Sequence, residues 1–178
     1  MNKRKLSMNS KIMLLTFFII ALSFLIAGTF VIGSVIKKQE ENLGQEAMLV
    51  ARTVANLPEV KSNLVIDDFY NGSNTINEIV EEIRFINKAD YIVIMNMERK
   101  KFSHPSKREI GKISKSSDLD AAFAEHYYVS KAKGDKGTTI RAFVPIMNEK
   151  NVQIGVALVG FKIPSFTKFI LQFQKEIL

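Results

Sequence analysis

The chain has 178 residues, 47% of them hydrophobic, which suits one folded domain with accessory segments and excludes a disordered protein. The net charge of +7 comes from basic residues scattered along the chain, so we expect no nucleic acid among its partners. The absence of cysteine excludes disulfides, cysteine nucleophiles and thiolate metal sites, and it fits a bacterial domain outside the cytoplasm.

An uncharged apolar run over residues 12–36 predicts a membrane helix. About 20 apolar residues suffice to cross a bilayer, whereas the core of a cleavable signal peptide, the alternative, usually has about 7 to 15. Four basic residues precede the run, and the two lysines that follow it are offset by two glutamates. The positive-inside rule therefore predicts a single-pass protein of the cell membrane, with residues 1–11 cytoplasmic and residues 37–162 outside.

Two amphipathic helices are predicted before the first strand. Apolar residues recur at three- and four-residue spacing over 39–60, which continues the membrane helix as a rod until Pro58 ends or restarts it. The Asn-Gly-Ser sequence at 71–73 is typical of a turn, and a second helical stripe follows over 75–89.

Five strands are predicted after these helices. A β-branched run at 91–95 is typical of a central strand, and a second strand ends at 103–105. A short helix over 118–125 precedes the remaining strands at 127–132, 138–147 and 152–162, which are joined by hairpin turns at 134–137 and 148–151. This order predicts an α+β fold, with a five-stranded antiparallel sheet and helices packed mainly on one face.

Two basic segments of this sheet predict a pocket for a small carboxylate. Residues two apart on a strand point to the same side, so Arg141 and Phe143 share one face. Lys101 and Ser103 also share a side, and His104 follows directly before a proline. If both segments face one pocket, Arg141 would bind one carboxylate as a two-pronged pair, and Lys101 with His104 would bind another. Phe143 would cover the ligand's carbon skeleton. The alternative for Arg141 is an exposed strand arginine.

No pattern in the sequence indicates an enzyme. The two histidines and the scattered acids lack metal-ligand spacing, and His126 lies in no constellation like that of His104. The serines accompany neither a nucleophile elbow nor a paired base. We therefore predict no catalytic residue, no metal and no cofactor.

Several segments, taken together, resemble one known family. They are residues 51–55, 91–94, 102–105, 110–111, Gly137, 141–146 and 154–160. The Ser-His-Pro segment, the arginine strand and the final glycine-flanked strand in combination resemble the extracytoplasmic sensor region of bacterial citrate and C4-dicarboxylate sensor histidine kinases. The resemblance implies a PAS-like fold that binds a small di- or tricarboxylate, forms a homodimer and signals across the membrane.

The resemblance also assigns ligand positions. Four residues match the family's pattern, and three more are further candidates. They are Lys101, His104, Arg141 and Phe143, followed by Ser103, Thr139 and Leu158. Lys101 departs from the family's usual arginine and loses its planar fork. Citrate-sensing members tend to carry lysine at the Phe143 position and a hydroxyl residue near Leu158, so malate, fumarate or succinate is expected ahead of citrate.

Members of the family continue into a second transmembrane helix, a cytoplasmic PAS domain and a histidine kinase core. We therefore expect this sequence to be a fragment or a prematurely ended product, with residues 163–178 forming an exit helix toward the second span. A cognate response regulator would be a partner only through the kinase core. The same sensor module on a chemoreceptor is the alternative.

Overall fold

The computed structural model describes residues 7–134 and 137–163, and the chain divides into two compact units between Glu41 and Asn42. Its helices and strands are α1 (Met8–Asn56), α2 (Pro58–Leu64), α3 (Phe69–Ile86), β1 (Tyr91–Asn96), β2 (Tyr128–Gly134), β3 (Gly137–Met147) and β4 (Gln153–Lys162). Three short 3-10 turns lie between β1 and β2, at Lys107–Glu109, Ser117–Leu119 and Ala122–Ala124. The predicted exit helix at 163–178 falls almost entirely outside the described residues.

The first unit is the apolar part of α1. Among the described residues, α1 is the one helix that is long and apolar enough to cross a membrane. Its few polar side chains are satisfied inside the helix, because the hydroxyls of Thr16, Ser23 and Ser34 donate to backbone carbonyls one turn earlier. Such a surface is suited to lipid, where every polar group must find its partner within the protein.

The second unit begins with the amphipathic end of α1, as the sequence predicted. Its buried face includes Ala47, Val50, Ala51 and Val54. The helix ends at Asn56, and Pro58 begins α2, where a missing backbone N–H costs no hydrogen bond.

The predicted turn at 71–73 is wrong, because these residues lie within α3. The Asp68 side chain caps this helix by accepting hydrogen bonds from the backbone N–H groups of Tyr70 and Asn71. Gly72 serves close packing instead of a turn, since a Cβ there would lie 2.5 Å from the carbonyl oxygen of Asn63 on α2. Tertiary packing therefore overrides the local turn signal.

The sheet is antiparallel throughout, in the order β1-β4-β3-β2. Alternate residues of each strand face opposite sides, so Ile92 and Ile94 join the core beneath the helices while Val93 and Met95 join a smaller core on the second face. Phe143 lies in this smaller core with Leu119 and Ala122 from the 3-10 turns. The α+β class with helices mainly on one face is confirmed.

The sheet has four strands among the described residues, so the prediction of five is wrong. The segment predicted as the second strand, residues 97–105, pairs with β1 at one bridge, between Met95 and Lys101. The backbone N–H of Phe102 still donates to the carbonyl of Ile94 (2.7 Å), but the N–H of Ile94 donates to the Ser103 side chain (2.8 Å). A hydroxyl thus replaces the next backbone partner, and the ladder ends there.

The connection between β1 and β2 differs from the sequence prediction as well. The helix predicted at 118–125 is two separate 3-10 turns, and Glu125 ends the second with a φ of 65°. The hairpin at 148–151 is confirmed, with the Asn148 side chain accepting hydrogen bonds from the N–H groups of Lys150 and Val152. The two central residues of the predicted turn at 134–137 lie outside the described residues.

Candidate functional site

A small cavity of about 200 Å³, here called the cation cavity, lies on the second face of the sheet. Its apolar wall is built by strand periodicity, since Tyr91, Val93 and Met95 alternate along β1 and Leu158 of β4 stands opposite Val93. The polar lining consists of Lys101, His104, Ser114, Ser116 and Arg141.

The structure brings four of the seven predicted site residues together around this cavity. They are Lys101, His104, Arg141 and Leu158. Lys101 and His104 come from the segment that leaves β1, whereas Arg141 comes from β3, two strands away in the sheet order. Two separate basic segments therefore face one space of small-molecule size.

The other three predicted residues have structural contacts. Ser103 is completely buried, and its hydroxyl binds the backbone of β1. The Thr139 hydroxyl donates to the backbone carbonyl of Ala132 on β2 (3.4 Å). Phe143 is completely buried and stacks on Tyr128 at a centroid distance of 4.6 Å, so it packs in the core instead of lining the cavity.

Sequence reasoning missed several residues at the cavity. The alternation of Tyr91 with Val93 and Met95 is a period-two signal that would have placed Tyr91 on the cavity side. Ser114 and Ser116 lie in an irregular connection, for which no sequence period exists. No sequence period marks Asp118 either, the acid that forms an ion pair with Arg141.

Arg141 is ion-paired with Asp118, with 2.5 Å between Nη2 and Oδ2. The side chains are 19% and 23% exposed, so the pair is only weakly screened by solvent. The Nε atom of Arg141 is buried and has no hydrogen-bond partner in the described part of the chain. The guanidinium is therefore only partly satisfied by the protein.

Lys101 is paired in a similar way with Glu109, at 2.9 Å, and Glu109 also binds Lys112 at 2.6 Å. The hydrogen bond from Lys112, followed by that from Lys101, lowers the pKa of Glu109 to about 2. Glu109 therefore stays ionised throughout the physiological pH range. Each lysine or arginine that lines the cavity thus has a resident carboxylate partner.

His104 is held in a defined orientation at the cavity edge. Its backbone N–H donates to Asn77 Oδ1 (3.1 Å), and its ring Nδ1 accepts from the N–H of Ser106 (3.0 Å). Burial, followed by the charge of Lys101, lowers the pKa of His104 below its usual value of 6.5. The same Nδ1 lies 3.2 Å from the Ser106 carbonyl oxygen, so both backbone groups of Ser106 hold the ring in place.

The lining suits an anionic ligand in preference to a metal. Within residues 7–134 and 137–163, no three His, Asp or Glu side chains are grouped closely enough to hold a metal ion. A guanidinium, an ammonium and an imidazole around an apolar wall are instead the groups that bind carboxylates attached to a short carbon chain.

Comparison with known proteins shows the family to which the chain belongs. Residues 36–174 match the family model described as single cache domain 3. The chain belongs to the single cache domain family. The resemblance to bacterial C4-dicarboxylate and citrate sensor kinases is confirmed by curated relatives of this kind.

A probable C4-dicarboxylate sensor kinase of Bacillus subtilis is 42% identical over 177 residues, which covers 99% of this chain and 32% of that protein. One from Halalkalibacterium halodurans is 38% identical over 175 residues, covering 98% of this chain and 33% of that protein. The chain therefore spans about a third of the length of these relatives.

The crystal structure of the Escherichia coli DcuS sensor domain superposes with a TM-score of 0.64 at 28% identity. The match covers 76% of this chain and 97% of the DcuS domain. This cache-family member therefore shares the mixed helix and antiparallel sheet architecture of that sensor domain over nearly the whole length of the DcuS domain.

Proposed function

We propose that residues 37–162 form an extracytoplasmic sensor domain that binds a C4-dicarboxylate such as malate, fumarate or succinate. The single observation that carries this proposal is the presence of Lys101, His104 and Arg141 around one small cavity. The names of two similar relatives, probable C4-dicarboxylate sensor kinases, support the same class of ligand.

Each end of the ligand has a matching group. Arg141 offers a planar fork that binds one carboxylate through two parallel hydrogen bonds, and Lys101 with His104 binds the other. Charge-assisted hydrogen bonds contribute about 1.5 to 3 kcal/mol each. After desolvation and ordering costs, four or five of them correspond to a dissociation constant on the order of micromolar to millimolar.

The cavity favours a four-carbon ligand over citrate. A volume of about 200 Å³ corresponds to about seven water molecules at about 30 Å³ each. A four-carbon dicarboxylate is of that scale, whereas citrate adds a third carboxylate that needs a further cation. Among the described lining residues, the lysine and arginine side chains are those of Lys101 and Arg141, which the two carboxylates of a four-carbon ligand would already occupy.

The domain would report its occupancy across the membrane. In this proposal residues 1–11 are cytoplasmic, 12–36 span the membrane, and 163–178 lead toward a second span. The output would be a histidine kinase that acts on a response regulator, since the similar relatives are sensor kinases about three times as long. Homodimerisation through α1 is part of the same proposal.

Calorimetry on the full chain in lipid nanodiscs tests this function. Succinate, fumarate and malate should bind, citrate should bind more weakly, and butyrate, which has one carboxylate, should not bind measurably. Arg141→Ala should weaken succinate binding at least about a hundredfold, because it removes two charge-assisted bonds. Arg108→Ala, an exposed charge outside the cavity lining, is the matched control. Equal affinity of wild type and Arg141→Ala would refute the proposal.

A further inference from the structure

The carboxylate that contacts Arg141 in the protein itself belongs to Asp118. Asp118 lies on the 3-10 turn Ser117–Leu119, outside the sheet, and reaches the guanidinium from the side of the second face. The distance between Nη2 and Oδ2 is 2.5 Å. Asp118 thus stands at the guanidinium to which the proposed function assigns a ligand carboxylate.

The match between these two side chains is poor despite their closeness. A carboxylate that fits a guanidinium makes two parallel N–H···O bonds. Here Arg141 Nε and Asp118 Oδ2 are both buried without a partner that meets hydrogen-bond geometry in the described residues. The contact therefore supplies charge neutralisation without the paired hydrogen bonds that an aligned carboxylate would form.

Two further donors beside this pair are also buried and unpaired among the described residues. They are the hydroxyls of Ser130 and Tyr128 on β2. Ser130 stands directly opposite Arg141 in the β2–β3 register, and Tyr128 stands opposite Phe143. Directly opposed residues point to the same face of an antiparallel pair, so the two hydroxyls lie on the face of the guanidinium.

Arg141 Nε and the hydroxyls of Ser130 and Tyr128 are thus three donors without partners, and the Asp118 carboxylate is poorly aligned with the guanidinium. A ligand carboxylate would fit such a subsite better than Asp118 does. We propose that Arg141, Ser130 and Tyr128 form a carboxylate subsite whose resident counter-ion, Asp118, is displaced by one carboxylate of the bound ligand. This inference rests on the proposed function and assigns two new ligand contacts, Ser130 and Tyr128, and one residue that competes with the ligand.

The local structure allows Asp118 to move without unfolding the domain. Its turn is closed by long hydrogen bonds of 3.4 Å, from Leu119 N to Ser116 O and from Asp120 N to Ser117 O. The neighbouring Leu119 is completely buried in the smaller core and anchors the segment. The other carboxylate oxygen of Asp118, Oδ1, accepts a hydrogen bond from the Ser116 hydroxyl. Rotation of the Asp118 side chain therefore exchanges contacts within this turn and leaves Leu119 in the core.

Displacement of Asp118 also accounts for a preference for ligands with two carboxylates. Asp118 neutralises Arg141, and Glu109 neutralises Lys101, so the cavity carries no net charge from these four groups. A ligand with one carboxylate that replaces Asp118 gains only better-aligned hydrogen bonds to Arg141. A dicarboxylate gains contacts at both ends of the cavity.

Succinate titration of the full chain in nanodiscs tests the displacement. Asp118→Asn removes the competing charge and keeps the shape, and we expect it to bind succinate at least about tenfold more tightly than wild type. Asp120→Asn makes the same charge change two residues away, where the exposed Asp120 pairs with Arg99, and should stay within about twofold of wild type. Ser130→Ala should weaken binding about fivefold.

Equal or weaker binding by Asp118→Asn would overturn the proposal, and an unchanged affinity of Ser130→Ala would remove Ser130 from the subsite. Should Asp118→Asn not fold, Asp118→Ser provides the same loss of charge. Thermal unfolding in sulfate gives a readout that needs no dicarboxylate. Sulfate should raise the unfolding temperature of Asp118→Asn more than that of wild type, and Arg141→Ala in the same chain should abolish the difference.

The two proposals fail in different ways. If no dicarboxylate binds any variant, the proposed function fails, while the sulfate experiment still decides whether Asp118 blocks an anion subsite. If succinate binds wild type but sulfate stabilises wild type and Asp118→Asn equally, the ligand site stands and the role of Asp118 is refuted.

Discussion

Ser103→Ala separates a structural role of this serine from the ligand contact that the sequence suggested. The Ser103 hydroxyl accepts from the Ile94 N–H at 2.8 Å and donates to the Ile92 carbonyl at 3.4 Å, and the residue is completely buried. Alanine keeps the packing of Cβ but removes both bonds. The Ile94 N–H then has no partner on the outer edge of β1.

The expected loss of stability follows from the Ile94 N–H, which is left without a partner. A buried N–H without a partner costs about 1 to 3 kcal/mol, and the long bond to Ile92 adds little, so the free energy of unfolding should fall by about 2 kcal/mol. For a domain of this size such a loss lowers the unfolding temperature by about 6 to 10 °C. Urea unfolding followed by circular dichroism measures the free energy directly.

Ser106→Ala is the matched control, since Ser106 is exposed and contacts the His104 ring through its backbone. Its stability should stay within about 0.5 kcal/mol of wild type. Succinate affinity of Ser103→Ala should fall by no more than about threefold, because its hydroxyl points at the β1 backbone. Wild-type stability together with a large loss of affinity would show that Ser103 contacts the ligand.

Three further predictions concern the cavity and its supporting core. Burial keeps the pKa of His104 below 6.5 in the free protein and a bound carboxylate raises it, so succinate binding takes up a proton, and the affinity should rise as pH falls, by up to about tenfold per pH unit between the pKa of the bound and that of the free protein. Calorimetry in buffers of different ionisation enthalpy detects this proton uptake, which His104→Gln should abolish. Binding by wild type without proton uptake would contradict a contact between His104 and the ligand. A Cβ at Gly160 would lie 2.1 Å from the Tyr91 ring, so Gly160→Ala should shift this cavity wall and weaken succinate binding about tenfold with little change in urea stability, whereas unchanged affinity would exclude the ring from the site. Phe143→Ala should lower the free energy of unfolding by about 3 to 5 kcal/mol, because Phe143 is completely buried and stacked on Tyr128; a stable variant that loses only affinity would instead make Phe143 a ligand contact.

The sequence predicts well those elements that depend on local periodicity. The predicted strands at 138–147 and 152–162 match β3 and β4 to within about a residue, because β-branched alternation and flanking turn residues are local signals. The same parity correctly predicts that Arg141 and Phe143 share one face, although it does not reveal that Phe143 packs inward.

The errors arise where distant contacts decide the structure. The Asn-Gly-Ser turn signal is cancelled by the approach of α2 to Gly72, and the fifth strand is ended by a side chain that binds β1. The ion pair between Arg141 and Asp118 joins residues of an irregular connection and a strand, which no spacing rule relates. Pairing partners of charged residues are therefore the least predictable part of the site.

The broken strand and the candidate site have one physical origin. A complete fifth strand would continue along the outer edge of β1 toward Tyr91, and Lys101 and His104 would then alternate between the two faces. Because the Ser103 hydroxyl satisfies the Ile94 N–H, the backbone leaves the sheet after two hydrogen bonds, and Pro105, which has no N–H, cannot resume the ladder. Lys101 and His104 can thus both line the space in front of Arg141, although they lie three positions apart in the sequence.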